Sequence, residues 1–127
     1  MKARSILFWA SVLGFLGVAL GAFGAHALHD RLVETGRVAT WETAVLYHLV
    51  HAVALLAIGL WKREAPGSRL LGWAGRFFFA GIVIFGGSLY ILCLSGINWL
   101  GAITPIGGVA FLAGWVCLAL ASLRERE

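Results

Sequence analysis

Four apolar stretches, parted by short charged or turn-rich breaks, limit what this chain can fold into more than any other feature: about Ser5–Leu28, Trp41–Trp61, Phe77–Ile97 and Pro105–Leu123. At about 1.5 Å of rise per residue, each is long enough to cross a hydrocarbon core of about 30 Å as a helix. Within lipid every backbone N–H and C=O must be paired inside its own segment, so such spans are expected to be helices. The reading is an all-α membrane protein, a four-transmembrane-helix bundle forming a single membrane domain over residues 1–127. Composition agrees: 61% of the 127 residues are hydrophobic and 13% charged, against roughly 45–50% and 25% in soluble domains. Four spans leave no length for a second domain.

Orientation follows from the cations. With four crossings, the amino terminus, the middle loop and the carboxyl terminus share a side, and they carry Lys2, Arg4, Lys62, Arg63, Arg69, Arg76, Arg124 and Arg126, whereas the other side has Arg31 and Arg37. Cation-rich short loops stay in the cytoplasm, so both termini are expected there, in a bacterial cytoplasmic (inner) membrane. Trp9, Trp61 and Trp73 fall near the inner interface and Trp41 and Trp99 near the outer one. The net charge of +4 lies in clusters between apolar runs rather than along one face, which argues for membrane topology and against nucleic acid. Lys2 and Arg4 ahead of an apolar run ending in Ala25-His26-Ala27 resemble a signal peptide. The stretch Ile6–Ala25 is 20 residues, longer than the roughly 7–15 of a secretory apolar region, so it reads as an uncleaved first helix. Cys93 and Cys117 fall at different depths, so no disulfide is expected.

Between the spans, His29–Thr40 reads as an outer loop whose end extends the second helix as an amphipathic turn, and Gly96–Thr104 as an uncharged outer connection. Thr104-Pro105 reads as N-cap and first residue of the fourth helix.

Small residues mark the packing faces. Gly14, Gly17, Gly21 and Gly24 form one stripe on the first helix, Ala74, Gly81, Ser88 and Ser95 recur every seven residues on the third, and Gly107, Ala110, Gly114, Cys117 and Ala121 run along the fourth. Since lipid gives helices no hydrophobic drive to associate, close backbone approach at such residues supplies the packing. The alternative, a solute path along the glycines, lacks a polar group that would select a solute.

The histidines are the informative constellation. His48 and His51 lie within roughly 60° of each other on the second helix, on a face shared with Trp41, Ala44, Ala52 and Leu55. His26, near the outer end of the first helix, shares a face with Phe15, Ala19 and Ala22 opposite the glycine stripe and is expected inside the bundle, within side-chain reach of His48. Ionisable groups in a bilayer are costly and face the interior or water, which makes a functional reading the default. Candidate ligand-binding residues are His26, His48, His51, Tyr47 and Trp41. Imidazoles suit a metal or haem iron, for which His26, His48 and His51 are the candidate ligands, and they suit proton handling. Glu42 and Asp30 are positioned to orient a ring or complete a metal site. The structural alternative is interhelical hydrogen bonding, with Tyr47, Tyr90 or Ser88 as partners. His29, at the loop edge, reads as solvated. No carboxylate lies deep in a span, no His-Glu-x-x-His helix or phosphate-binding glycine loop occurs, and Ser88 and Ser95 have no evident base.

Taken together, Gly21-Ala22-Phe23-Gly24-Ala25-His26-Ala27-Leu28, Trp41-x-Thr43-x-Val45-x-Tyr47-His48-x-x-His51, Gly87-Ser88-Leu89-Tyr90 and Thr104-Pro105-Ile106-Gly107-Gly108 with Phe111-Leu112 and Gly114-Trp115 resemble the family called domain of unknown function 423. Its animal relatives are called transmembrane protein 256. The resemblance covers nearly the whole chain in order. It implies a small multi-pass membrane protein, in bacteria an inner-membrane one, and assigns no reaction. His26, Tyr47, His48 and His51 fall within the matching residues and His29 does not. The chain is also the size of small multidrug-resistance transporters, but its first helix lacks the acidic residue their coupling requires. The expectation is a non-enzymatic module in the lipid bilayer that binds a cofactor, a lipid or a larger membrane complex through a His-lined outer site, as an accessory or assembly subunit. The rivals are a small oligomeric transporter or channel and a metal-dependent membrane enzyme.

Overall fold

A computed structural model describes residues 1–124, so Arg126 and the carboxyl end of the chain lie outside the described residues. The elements run α1 (Ala3–Ala25), α2 (His29–Glu34), α3 (Val38–Glu64), α4 (Arg69–Gly81), a π-helical segment (Ile82–Gly86), α5 (Gly87–Ser95), a 3-10 turn (Asn98–Ala102) and α6 (Thr104–Arg124). The described residues contain no strand. Four helical stretches are long and apolar enough to span a membrane: Ala3–Ala25, Val38–Glu64, Arg69–Ser95 and Asn98–Arg124. The third is α4, the π segment and α5 wound as one rod.

Apolarity marks the part of a helix that lies in lipid rather than the whole helix, and the boundaries differ accordingly. The third span starts at Arg69 instead of Phe77 because Ser68 caps it, its Oγ accepting from the Leu71 amide at 3.3 Å. Its opposite end closes at Gly96, which takes the left-handed conformation (φ +76°). The first span stops at Ala25 instead of Leu28, because the chain turns at His26–Leu28 into α2, whose Leu32 is buried. The outer loop thus holds a short helix where an open loop was expected. Thr104 begins α6 but does not cap it with its side chain. Its hydroxyl instead meets Ser88 Oγ at 2.6 Å, tying α6 to α5.

α1 packs along α3, and α6 packs along α4 and the π segment, while α3 also lies against the whole third rod. The two middle spans are therefore the interior of the assembly and α1 and α6 its flanks. The core between them is built on Ile6, Leu55, Ile58, Leu71, Ala74, Phe78 and Phe111. On the flanks, Phe8, Phe15, Val18 and Phe23 of α1 and Ile106, Val109, Leu112 and Leu123 of α6 are exposed, as suits helices solvated by hydrocarbon.

Glycines sit where aromatic and aliphatic side chains seat. A Cβ at Gly24 would collide with the Trp41 indole, one at Gly17 would lie 2.6 Å from Leu49, and one at Gly59 would lie 2.6 Å from Leu7. Between α4 and α6 the arrangement is reciprocal: Phe111 fills the notch at Gly81 and Phe78 fills the notch at Gly114. At Gly107 the obstruction is the backbone of Phe85 itself, so α6 touches the main chain of the π segment there. Gly14, by contrast, has open space where a Cβ would go.

Candidate functional site

The buried stripe of α3, Trp41, Ala44, His48, His51 and Leu55, carries both buried histidines. Its 3.6-residue period aims all of them at neighbouring helices. His48 and His51 are each 4% exposed. They point to different neighbours and form two separate nodes.

At the first node, His48 Nε2 lies 2.7 Å from the Leu13 carbonyl oxygen of α1 and Nδ1 lies 2.9 Å from the Tyr90 hydroxyl of α5. A carbonyl only accepts, so Nε2 carries a proton and donates. In the neutral ring Nδ1 then accepts from Tyr90. One imidazole thereby joins three spans. Trp41, just above, donates from Nε1 to the Leu20 carbonyl at 3.0 Å and lies against the Tyr90 ring, 4.8 Å between centroids. Leu13 and Leu20 carbonyls are reachable because the Gly17, Gly21 and Gly24 side of α1 brings its backbone close to α3.

At the second node, His51 lies flat on Phe111 of α6, with ring centroids 3.7 Å apart and planes 12° from parallel. Trp115 donates its indole N–H to His51 Nε2 at 3.1 Å. An indole only donates, so Nε2 is the unprotonated nitrogen and Nδ1 carries the proton, given to the Tyr47 carbonyl one turn back at 2.8 Å. Tyr47 and Phe78 complete the ring of aromatics around it.

These bonds decide what the site can do. Each imidazole uses both nitrogens within the bundle, and among the described residues no buried side-chain nitrogen or oxygen lacks a partner. A metal or haem iron would have to displace Tyr90 from His48 or Trp115 from His51. His26 is not available as a third ligand. It is exposed, at the turn after α1, where its backbone N–H bonds the Ala22 carbonyl. Its expected face, with Phe15 (73% exposed), Ala19 and Ala22, looks away from α3, so the expectation that His26 lies inside the bundle is corrected. Among the described residues, no three His, Cys, Asp or Glu side chains converge as metal ligands. His29 and Glu42 instead flank a recess of about 220 Å³ among α1, α2 and α3, with Gly21, Gly24 and Trp41 on its walls.

Trp115 and the Leu13 carbonyl were not visible as partners from the sequence. The available signal for the first is its position: Trp115 lies midway along α6, far from both interfaces, where an indole N–H needs an acceptor inside the protein. Arg31 and Arg37 also do more than offset the charge count. Arg31 Nη2 donates to the Leu94 carbonyl at 2.5 Å, and Arg37 donates to the Leu92 carbonyl at 2.6 Å and to Asn98 Oδ1 at 2.9 Å. Two guanidinium groups thus cap the carboxyl end of α5, where the helix dipole is negative.

The fold and its interior bonding define a small helical membrane protein whose polar core joins spans to one another. The family model described as a protein of unknown function (DUF423) matches residues 20–108. This chain belongs to that family. It is 47% identical to a UPF0382 membrane protein of Staphylococcus epidermidis over 124 residues, 98% of each chain. It is 41% identical to the UPF0382 membrane protein YwdK of Bacillus subtilis, again over 98% of each. The UPF0382 inner membrane protein YgdD of Escherichia coli is 38% identical over 129 residues, covering 100% of this chain and 95% of that one. No solved structure matches the chain.

Proposed function

We propose that this protein is a non-enzymatic module of the bacterial inner membrane, an accessory or assembly subunit that works by binding within the bilayer, with both termini in the cytoplasm. The observation that carries the reading is the saturation of His48 and His51: neither ring keeps a nitrogen free for a substrate, proton or metal. In this reading the histidines hold four spans in register, and binding belongs to surfaces outside the bundle. The orientation rests on the eight cations on one side against two on the other, and the inner-membrane placement on the name of the Escherichia coli relative.

The reading is tested by purifying the tagged protein from native membranes in mild detergent. A colourless, metal-free preparation that brings down a defined membrane protein supports it. A Soret band or stoichiometric metal that disappears in His48→Ala would overturn it, and solute flux in proteoliposomes would replace it with the small oligomeric transporter. For orientation, a green fluorescent reporter after residue 127 should fluoresce, and an alkaline phosphatase inserted in the loop before α3 should be active. The opposite pair of results would reverse the topology.

A further inference from the structure

Among the described residues, cations crowd together at the end that bears Met1 and the α3–α4 turn. Two adjoining recesses open there, of about 630 and 540 Å³. The first is bordered by Lys2, Arg4 and Arg63, the second by Arg69 and Trp73, and Met1, Lys62 and Arg76 border both. Among the described residues no carboxylate lines either one. Lys62 is only 9% exposed, and one of its three ammonium hydrogens goes to the Ser68 carbonyl at 2.5 Å. The Met1 amine and Lys62 Nζ both lie within 4 Å of the point where a Cβ on Gly72 would stand. The Met1 amine is held below its usual range, first by burial and then by repulsion from Arg76 and Lys62.

Cations crowded together and partly desolvated are stabilised by an anion that bonds several of them at once. The surroundings indicate which kind. Arg76 lies over the exposed ring of Trp73, 4.7 Å from its centroid, as at a headgroup-level aromatic belt. From the charged recess a further hollow of about 420 Å³ leads past Arg4 and Arg63 to Ala3 and Leu7, along the groove between α1 and α3. A bound anion at this depth would thus have apolar wall, Ala3 and Leu7, beside it on the side toward the bilayer core.

We propose that this basic recess is a binding site for an anionic phospholipid, its phosphate held by Lys62 and Arg76 and one acyl chain lying along Leu7. The site is independent of the histidine nodes and stands whether or not the accessory-subunit reading does.

The test uses the full chain in a mild neutral detergent, with phosphatidylglycerol, phosphatidylcholine or inorganic phosphate added. Native mass spectrometry should retain phosphatidylglycerol well above phosphatidylcholine, and phosphatidylglycerol should raise the Tm while inorganic phosphate does not. Each cation near an anionic headgroup is worth roughly fivefold in binding, so Lys62→Gln and Arg76→Gln should each cut the retained ratio by about that factor, and Arg124→Gln should leave it unchanged. Should Lys62→Gln fail to fold, Arg4→Gln with Arg63→Gln removes two surface cations of the same recess and should lower the ratio as well. Equal retention of the two lipids by the wild-type protein, an equal effect of inorganic phosphate, or an equal loss in Arg124→Gln would overturn the proposal.

Discussion

Trp115 and His51, 64 positions apart in sequence, are joined by an indole-to-imidazole hydrogen bond of 3.1 Å that fixes the tautomer of the histidine. Because Nε2 must accept, the ring proton resides on Nδ1 and is committed to the Tyr47 carbonyl. The bond links α3 to α6, and with the stack of His51 on Phe111 it closes the bundle on its α6 side.

Trp115→Phe keeps an aromatic ring beside Phe78 but withdraws the N–H together with part of the indole's volume. The hydrogen bond's share of the loss is expected to be about 0.6 kcal/mol, and at most roughly 1.7, the range for side-chain hydrogen bonds between membrane helices. Unfolding in detergent mixtures measures it. In a double-mutant cycle with His51→Phe the two changes should be non-additive by a similar amount. Full additivity would mean that the bond contributes nothing.

At the other node, Tyr90→Phe removes one bond, whereas His48→Ala removes two, leaves the Tyr90 hydroxyl without its acceptor and opens a hole where three spans meet. His48→Ala should therefore cost at least roughly twice as much as Tyr90→Phe by the same measurement. Equal costs would show that the Leu13 contact is idle. Neither change should alter metal content or absorbance.

Gly107 and Gly108 make a matched pair. A methyl at Gly107 runs into the Phe85 backbone, while one at Gly108 meets nothing within 4 Å. Gly107→Ala should cost about 1–3 kcal/mol through overpacking against main chain that cannot give way. Gly108→Ala should be neutral or stabilise by up to about 1 kcal/mol, because alanine loses less backbone freedom on folding. The order of the two melting temperatures checks the prediction.

Arg37→Gln should loosen the carboxyl end of α5. Two hydrogen bonds from a charged donor are lost, at a partly exposed position, so the expected cost is about 1 kcal/mol. The local readout is more informative: hydrogen–deuterium exchange should rise at Gly96 and its neighbours, whose amides close the last turn, and stay unchanged in α4. Protection unchanged at Gly96 would remove the capping role.

The four spans could be read from the sequence because hydrocarbon imposes a length and a polarity that few other environments impose. What lies outside hydrocarbon carries no such mark. The first two turns of α4, from Arg69 to Arg76, are helical through the Ser68 cap and packing on Met1 and Ile6, and a hydropathy boundary misses both. His26 lies outside the bundle because the α1 face it shares with Phe15, Ala19 and Ala22 is exposed, α1 packing on α3 through its glycine side, and spacing within one helix does not tell which of its faces meets a neighbour. Of the three partners open to the histidines, Tyr90 is the one His48 meets through its side chain. Trp115 required knowing that side chains of α6 reach His51 on α3, a fact of tertiary arrangement that local spacing does not contain.

The π segment sets the phase between the two halves of its rod. A π turn bonds i→i+5 instead of i→i+4 and so takes up one residue more than an α turn. Deleting one residue between 82 and 86 would therefore restore uniform winding with Tyr90 still turned to His48 and Ser88 to Thr104, whereas inserting one there would swing both by about 100° and part them from their partners. The wide turn is thus the slack that lets Phe78 seat in the Gly114 notch while Tyr90, twelve residues on, still meets α3.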